Sequence, residues 1–392
     1  MISIKKDRRY IESKHLDSLF EKVQERILNQ KKIYKDDLAF RKFNLILNYL
    51  ISNLEIVLTG NLDDLKNVII DIETNYYISD SKVKALIRKR KKEGITIASK
   101  RLPMFIRNNK LEKYFTQTVI ENYRRIADFE RDLKNINKKN CLVYIYKIKQ
   151  EKKKETITFA EALSEIFDYK DFSEYKEERL NCWDAYKYTE MLNLEVCPYC
   201  DRQFIHTIIK KNKKTRAVLD HFYAKSLYPY LSISIFNLIP CCYTCNSSFK
   251  KDIDLLSNEV IYPFEEQFHN NVEFKINHKS YLGMIGLGIE FDIDFMITTS
   301  DKELMRKINN SIEVFGLRVV YSSHNIYVKN LLRNIYINSS QRIKEISLRY
   351  PNLFSSTKEI EEALYLGLSN EKNIGKHILS KLSFDIIKNY KS

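Results

Sequence analysis

Two pairs of closely spaced cysteines constrain this chain more than any other feature of its sequence. Each pair has the spacing Cys-x-x-Cys, and 41 residues separate the first pair, Cys197 and Cys200, from the second, Cys242 and Cys245. Two such turns at the ends of one short segment supply four thiolates, the ligand set of a closed tetrahedral zinc site. The sequence therefore predicts a structural zinc ion that joins the two ends of this segment.

Other interpretations of these cysteines stay open. A Cys-x-x-Cys pair can be a redox dithiol, and the two pairs can be unrelated buried cysteines. Cys241 can also replace Cys242 as a ligand, at a spacing of three residues from Cys245. Zinc is the preferred interpretation because both pairs flank one segment. In addition, the first residues do not resemble a secretory signal, which favours a reducing compartment in which disulfides are rare.

The chain as a whole is long, basic and poor in turn-forming residues. Its 392 residues are enough to bury a core without disulfides, and 8 Gly and 6 Pro disfavour turn-dense β-sandwiches and propellers. The 66 Lys and Arg exceed the 51 Asp and Glu, for a net charge of +15, which is compatible with a polyanionic partner but is also typical of a Lys-rich surface. No apolar stretch reaches the roughly 18 residues of a membrane span. We expect a soluble, cytoplasmic protein.

Helical periodicity dominates both ends of the chain, whereas strand patterns lie in its middle. The fold class predicted from these patterns is α+β and predominantly helical. We expect a helical N-terminal domain over 1–185 with a docking or regulatory role, a compact module over 186–265 and an α+β region over 266–392. The predicted helices contain Leu16 to Ile27, Phe43 to Leu54, Leu65 to Ile72, a segment between Tyr114 and Leu133, and most of the chain from Lys302; the predicted strands are 203–209, 217–220, 272–276 and 289–297.

The segment between and beside the cysteine pairs contains residues that can bind a hard metal ion and accept a proton. Asp220 and Asn246 offer hard oxygen ligands of the kind that Mg²⁺ or Mn²⁺ prefers. His221 is next to Asp220 but on the opposite face of its strand, and the unperturbed pKa of a histidine lies close to working pH, which suits a general base. The chain has no phosphate-binding loop of the G-x-x-x-x-G-K-[ST] type, so we expect no nucleotide cofactor.

The order of these motifs resembles the HNH nuclease motif of the ββα-metal superfamily. The resemblance covers Cys197 to Lys250: a Cys-x-x-Cys pair, Asp220-His221, Asn237-Leu238, and a second pair followed at once by Asn246. It implies a ββα-metal module with a four-cysteine zinc site and the activity of a metal-dependent endonuclease. It also implies that Asp220 and Asn246 bind a catalytic Mg²⁺ or Mn²⁺, that His221 is the base, and that Asn237 braces the loop of the base through hydrogen bonds.

A basic segment lies close to these motifs. We expect it to be the turn between two strands of the module, 203–209 and 217–220, where it would contact nucleic acid; a solvated hairpin tip is the alternative. Lys250 is a further candidate phosphate contact, although many members of the family have a Lys three residues after the final Asn, where this chain has Phe249. The predicted nucleic-acid contacts are Lys210, Lys211, Lys213, Lys214, Arg216 and Lys250.

The sequence around the motif resembles the HNH proteins of bacterial anti-phage defence systems, such as the nuclease subunit of Septu-type systems. The stretch from Leu219 to Ser226 and the stretch from Asn237 to Cys242 contain this resemblance. It implies an effector nuclease, with DNA as the favoured substrate, that works with a separate ATPase. The alternatives are a non-catalytic zinc-ribbon module that binds nucleic acid or protein, and a homing or restriction HNH nuclease.

Overall fold

The computed structural model describes residues 1–4, 7–34, 38–76, 147–149, 156–175, 182–210 and 213–391. Over these residues the chain is mostly helical, with four small antiparallel sheets of two strands each. The predicted class, predominantly helical with some strand, is confirmed. The helix predicted between Tyr114 and Leu133 lies outside the described residues.

The elements are numbered here in chain order. The α-helices are α1 Arg8–Ile33, α2 Leu38–Ser52, α3 Leu54–Thr59, α4 Leu62–Asn75, α5 Phe159–Ile166, α6 Tyr169–Ser173, α7 Ala185–Leu192, α8 Tyr281–Met284, α9 Lys302–Val314, α10 Leu317–Ser322, α11 Asn325–Ile337, α12 Ser340–Arg349, α13 Thr357–Leu364 and α14 Ser380–Tyr390. The strands are β1 Lys147–Lys149, β2 Thr156–Thr158, β3 Ile208–Lys210, β4 Lys213–Thr215, β5 Val218–His221, β6 Leu238–Cys241, β7 Val272–His278 and β8 Phe291–Ile297. The short helices are the π-helix Thr244–Lys250 and the 3-10 helices Pro229–Leu231, Ile235–Asn237, His269–Asn271 and Glu371–Asn373. No helix within the described ranges is both long enough and apolar enough to cross a lipid bilayer.

The helices near the N-terminus form where the apolar periodicity predicts them. In α1, Leu19, Val23 and Ile27 recur on one face and are buried in the core. Helix α4 begins with a capping box, in which Asn61 and Asp64 exchange hydrogen bonds between side chain and backbone, both at 3.0 Å. These local features satisfy the free amides of the helix start and direct the apolar face inward.

The strand pairing predicted from the sequence for the central segment is wrong. Segments 203–209 and 217–220 do not form one hairpin; β3 pairs with β4, so the basic segment itself contains a small hairpin. Strand β5 pairs instead with β6, with Val218 opposite Cys241 and His221 opposite Leu238. The reason is burial: β5 and β6 are almost entirely enclosed, whereas β3 and β4 are largely exposed. The strand pair β5–β6 leads through Cys242 and Tyr243 into the π-helix.

The predicted C-terminal strands are confirmed as β7 and β8, which pair over seven residues each. Helix α14 packs on β7, where Asp385 accepts the backbone N–H of Phe274 at 2.9 Å and pairs with Lys381 at 2.6 Å. At the start of α14, Asp201 accepts hydrogen bonds from the hydroxyl of Ser380 and the N–H of Lys381 at 3.0 and 2.9 Å. The first cysteine pair is thereby joined to the last helix of the chain.

Helix α1 contacts the central segment through a buried histidine. The indole N–H of Trp183 can only donate, so it fixes Nδ1 of His15 as an acceptor at 2.9 Å, and Nε2–H donates to the carbonyl of Ile233 at 2.8 Å. Both ring nitrogens are thus used by a neutral imidazole. Burial lowers the pKa of His15 from 6.5 to about 3.

This histidine makes stability depend on pH. Below pH 6.5 the unfolded chain binds a proton at His15, whereas the folded chain does so only near pH 3. The contribution of His15 to the free energy of unfolding is therefore fully present above pH 6.5 and decreases as the pH falls from 6.5 towards 3. Between pH 7 and pH 5 the stability advantage of the wild type over His15→Gln should shrink by about 2 kcal/mol. Urea unfolding of both proteins at the two pH values measures this change. A stability difference that does not vary with pH would contradict it.

Candidate functional site

The four cysteines predicted as zinc ligands meet in one buried cluster. Their Sγ atoms all lie within 4.8 Å of one another, and the distance from Cys200 Sγ to Cys242 Sγ is 3.9 Å. Sulfur atoms around a tetrahedral zinc at 2.3 Å would be about 3.8 Å apart. Backbone N–H groups of Cys242 and Cys245 point at sulfur atoms, at 3.4 and 3.5 Å. The cluster contains Cys242, which decides between Cys242 and Cys241.

The chemistry of this cluster fits a zinc ion. The cysteines are free rather than joined in disulfides. Burial raises the pKa of the Cys197 thiol, because the interior disfavours an isolated thiolate. A divalent cation that binds sulfur removes this penalty, which is why Zn²⁺ and four buried thiolates stabilise each other.

Asp220 and His221 lie side by side on β5 and point to opposite faces of the strand, as its alternation requires. The Asp220 carboxylate faces the first cysteine pair and the π-helix, where Tyr199 donates to Oδ2 at 2.8 Å and Lys250 donates to Oδ1 at 2.8 Å. Burial raises the pKa of the Tyr199 phenol, so it remains a donor. Both oxygens of Asp220 are therefore engaged by protein groups.

The imidazole of His221 is fixed on the other face. Its Nε2 lies 2.9 Å from the carbonyl oxygen of Ser232, and the ring of Tyr169 packs against it edge to face with centroids 4.5 Å apart. Because a carbonyl can only accept, Nε2 carries the proton and the lone pair is on Nδ1. Burial, together with the ammonium of Lys225, lowers the pKa of His221 to about 3. The ring is thus deprotonated at neutral pH, as a general base must be, although a low pKa also makes it a weaker base.

Asn237 braces the loop between β5 and β6. Its Oδ1 accepts the N–H of Tyr223 at 2.7 Å, and its Nδ2 donates to the carbonyls of Tyr223 and Leu231, both at 3.0 Å. Leu231 immediately precedes Ser232, whose carbonyl accepts from His221. The amide of Asn237 therefore determines indirectly where the imidazole of His221 is held.

Asn246 and Lys250 both belong to the π-helix. Asn246 directly follows the last cysteine of the cluster and is half-buried. Lys250 is not on the surface where a phosphate would approach: its side chain is 0% exposed and its ammonium pairs with Asp220, which is 1% exposed. The predicted phosphate contact is thus replaced in this structure by a buried ion pair.

The basic segment is divided between surface and interior. Lys210 and Lys213 are exposed, whereas Lys214 lies over the ring of Tyr175 at 3.9 Å. The Arg216 guanidinium is used internally, since it donates to the carbonyls of Ala217 and Ser173 at 2.8 and 3.2 Å. Lys211 lies outside the described residues.

Three groups at the site were not predicted from the sequence. The carbonyl of Ser232 and the ring of Tyr169 come from other segments, and no pattern in the sequence relates them to His221. Tyr199 lies inside the first Cys-x-x-Cys pair, so its proximity to the cluster was predictable, but its bond to Asp220 was not. Comparison of the chain with models of protein families, with curated proteins and with solved structures gives no match.

A cysteine substitution tests the metal cluster. We expect Cys245→Ser to lose most of the bound zinc and to lower the unfolding temperature, because the cluster loses one of four ligands. Cys241→Ser is the matched control: it is a neighbouring buried cysteine outside the cluster, so its zinc content should equal that of the wild type. Metal analysis of the purified proteins measures both. Equal zinc contents in the two variants would contradict the assignment.

A substitution at Asn237 tests the brace. Asn237→Asp keeps the shape of the side chain but cannot donate to the carbonyls of Tyr223 and Leu231. Because both acceptors are buried, the free energy of unfolding should fall by at least about 2 kcal/mol. Asn309→Asp makes the same change on an exposed helix face and should stay within about 0.5 kcal/mol of the wild type. If denaturant titrations show that the two variants are destabilised equally, the bracing role of Asn237 is refuted.

Proposed function

We propose that the chain is a metal-dependent HNH endonuclease that hydrolyses phosphodiester bonds, with DNA as the favoured substrate. The observation that supports it most is the arrangement around β5. A histidine with a fixed tautomer adjoins a carboxylate on β5, and the partner strand β6 leads directly into a cluster of four cysteines. The sequence resemblance to HNH nucleases supports the same function independently of this geometry.

In this proposal His221 acts as the general base. Nδ1 takes a proton from water, and the water oxygen bonds to phosphorus as the bond between phosphorus and the leaving oxygen breaks. The leaving oxygen then takes a proton from solvent. The positive charge that develops on the ring is stabilised at Nε2–H by the carbonyl of Ser232, which Asn237 holds in place through Leu231.

Two metals belong to the proposal. Zinc bound by Cys197, Cys200, Cys242 and Cys245 would have a structural role. The donor chemistry of Asp220 and Asn246, a carboxylate and an amide oxygen, fits Mg²⁺ or Mn²⁺. Held by these residues, such an ion would stabilise the negative charge that develops on the phosphate.

The exposed part of the basic segment is the proposed contact with the nucleic acid backbone. Lys210 and Lys213 present charge at the surface, on the small hairpin β3–β4 that leads into β5. Anti-phage defence and a separate ATPase partner stay predictions from the resemblance alone.

A zinc-stabilised module that binds nucleic acid without cutting it is the competing function. The specific observation in its favour is the buried pair of Asp220 and Lys250, since a carboxylate with both oxygens engaged is a complete structural group. The two functions differ in the role of His221: the nuclease needs it for catalysis, whereas the binding module needs it only for folding.

Substitution of His221 tests the proposed activity. With Mg²⁺ or Mn²⁺, the wild type should nick plasmid DNA. His221→Ala should reduce the rate by about 10²-fold or more with unchanged zinc content. Because the variant also loses a buried hydrogen bond to Ser232, its unfolding temperature should fall, and the rates are compared at a temperature where both proteins are folded. His206→Ala is the matched control, because His206 is a half-exposed histidine of the same segment that pairs with Glu195, and it should cut at the wild-type rate.

The assay includes a cellular RNA pool as a second substrate and the products of neighbouring genes as candidate partners. If the wild type, alone and with these proteins, cuts neither DNA nor RNA with either metal, the nuclease proposal fails. Binding of nucleic acid without cleavage would then favour the competing function.

A further inference from the structure

The residue with the least expected position in the site is Lys250. Its ammonium donates to Oδ1 of Asp220 at 2.8 Å and also to the backbone carbonyl of His221. Neither side chain of the ion pair reaches solvent to more than 1%. Lys250 therefore contacts both members of the Asp220-His221 pair from the interior of the protein.

The winding of the helix explains how Lys250 reaches this position. The segment from Thr244 to Lys250 is a π-helix, and the N–H of Lys251 bonds to the carbonyl of Asn246 five residues earlier at 2.8 Å. A π-turn contains more residues than an α-turn, so a residue four positions after Asn246 takes nearly the direction that a residue three positions after it has in an α-helix. Lys250 lies one residue further from Asn246 than the lysine of the resembled family. The π-turn accommodates this additional residue, so that the side chain of Lys250 still points at β5.

The backbone just after Lys250 supports the same conclusion. Lys251 has φ 52° and ψ −122°, a left-handed conformation that favours glycine and is strained for lysine. Such strain persists only where surrounding contacts require it. The buried ion pair of Lys250 lies directly beside this conformation in the chain.

We propose that Lys250 sets the divalent-metal affinity of Asp220, because its ammonium is the counter-charge of this carboxylate and a metal ion binds there only by displacing it. The proposal deepens the proposed nuclease site and rests on Asp220 as its metal ligand. An ammonium and a divalent cation on one buried carboxylate repel each other strongly, since the interior screens charge poorly. The pair thus keeps Asp220 closed to metal until Lys250 moves away.

The test measures Mn²⁺ binding to the zinc-loaded full chain in the absence of nucleic acid, by titration calorimetry and by the electron paramagnetic resonance signal of free Mn²⁺. Lys250→Gln removes the charge but keeps hydrogen-bond donors for Asp220 and the His221 carbonyl. It should bind Mn²⁺ at least 10-fold more tightly than the wild type. Lys250→Arg keeps the charge and is the matched control, with an affinity close to that of the wild type.

The double variant Lys250→Gln with Asp220→Asn should lose the gain in affinity, which assigns the bound ion to Asp220. Lys250→Met is the second uncharged variant if Lys250→Gln does not fold, and its unfolding temperature should rise with Mn²⁺ more than that of the wild type. Equal Mn²⁺ affinity in the wild type and the uncharged variants, or no Mn²⁺ binding by any of them, would overturn the proposal.

This result is independent of the cleavage assay. Tighter Mn²⁺ binding by Lys250→Gln, together with no cleavage by either the wild type or Lys250→Gln, would uphold the role of Lys250 and reject the nuclease. Cleavage that depends on His221, combined with unchanged Mn²⁺ affinity, would uphold the nuclease and reject the role of Lys250.

Discussion

The convergence of four buried cysteines is the constraint on which the rest of the site depends. Strands β5 and β6 pair over only four residues each, and a two-stranded sheet of this size is marginal on its own. Cys242 directly follows β6, Cys245 lies in the π-helix, and the first cysteine pair approaches from the side of β5 that carries Asp220. The cluster thereby fixes the strand pair and the π-helix relative to each other, and the positions of Asp220 and His221 follow.

Residues from distant parts of the chain stabilise this arrangement. Near the C-terminus, the hydroxyl of Tyr321 donates to the carbonyl of Cys200 at 2.7 Å, and Phe315 stacks on Tyr199 at 4.2 Å. Gly316 has φ +57°, and a Cβ at this position would lie 3.1 Å from the ring of Phe249 in the π-helix. The helices before the central segment complete the other face of the strand pair. Tyr169 of α6 packs on His221, and the buried His15 of α1 bonds to the carbonyl of Ile233, next to the Ser232 carbonyl that orients His221.

Local patterns in the sequence predicted the features that depend on short-range chemistry. The Cys-x-x-Cys spacing predicted the cluster, and apolar periodicity predicted α1, α4, β7 and β8. Strand pairing was predicted wrongly because it depends on which strands are buried together, and this is not encoded in adjacent residues. The burial of Lys250 depends on a change from α to π winding, which the sequence alone does not indicate. Tyr169 is a contact between distant segments for which no local pattern exists.

The central claim is that this frame holds His221 as the base of a metal-dependent nuclease. Chemical rescue tests it most directly, because a base removed by mutation can be replaced by a small base that enters the space it leaves. In a plasmid cleavage assay with Mn²⁺, we predict that imidazole restores measurable cleavage to His221→Ala and does not accelerate the wild type. If His221→Ala cleaves the plasmid as fast as the wild type without imidazole, the account is contradicted.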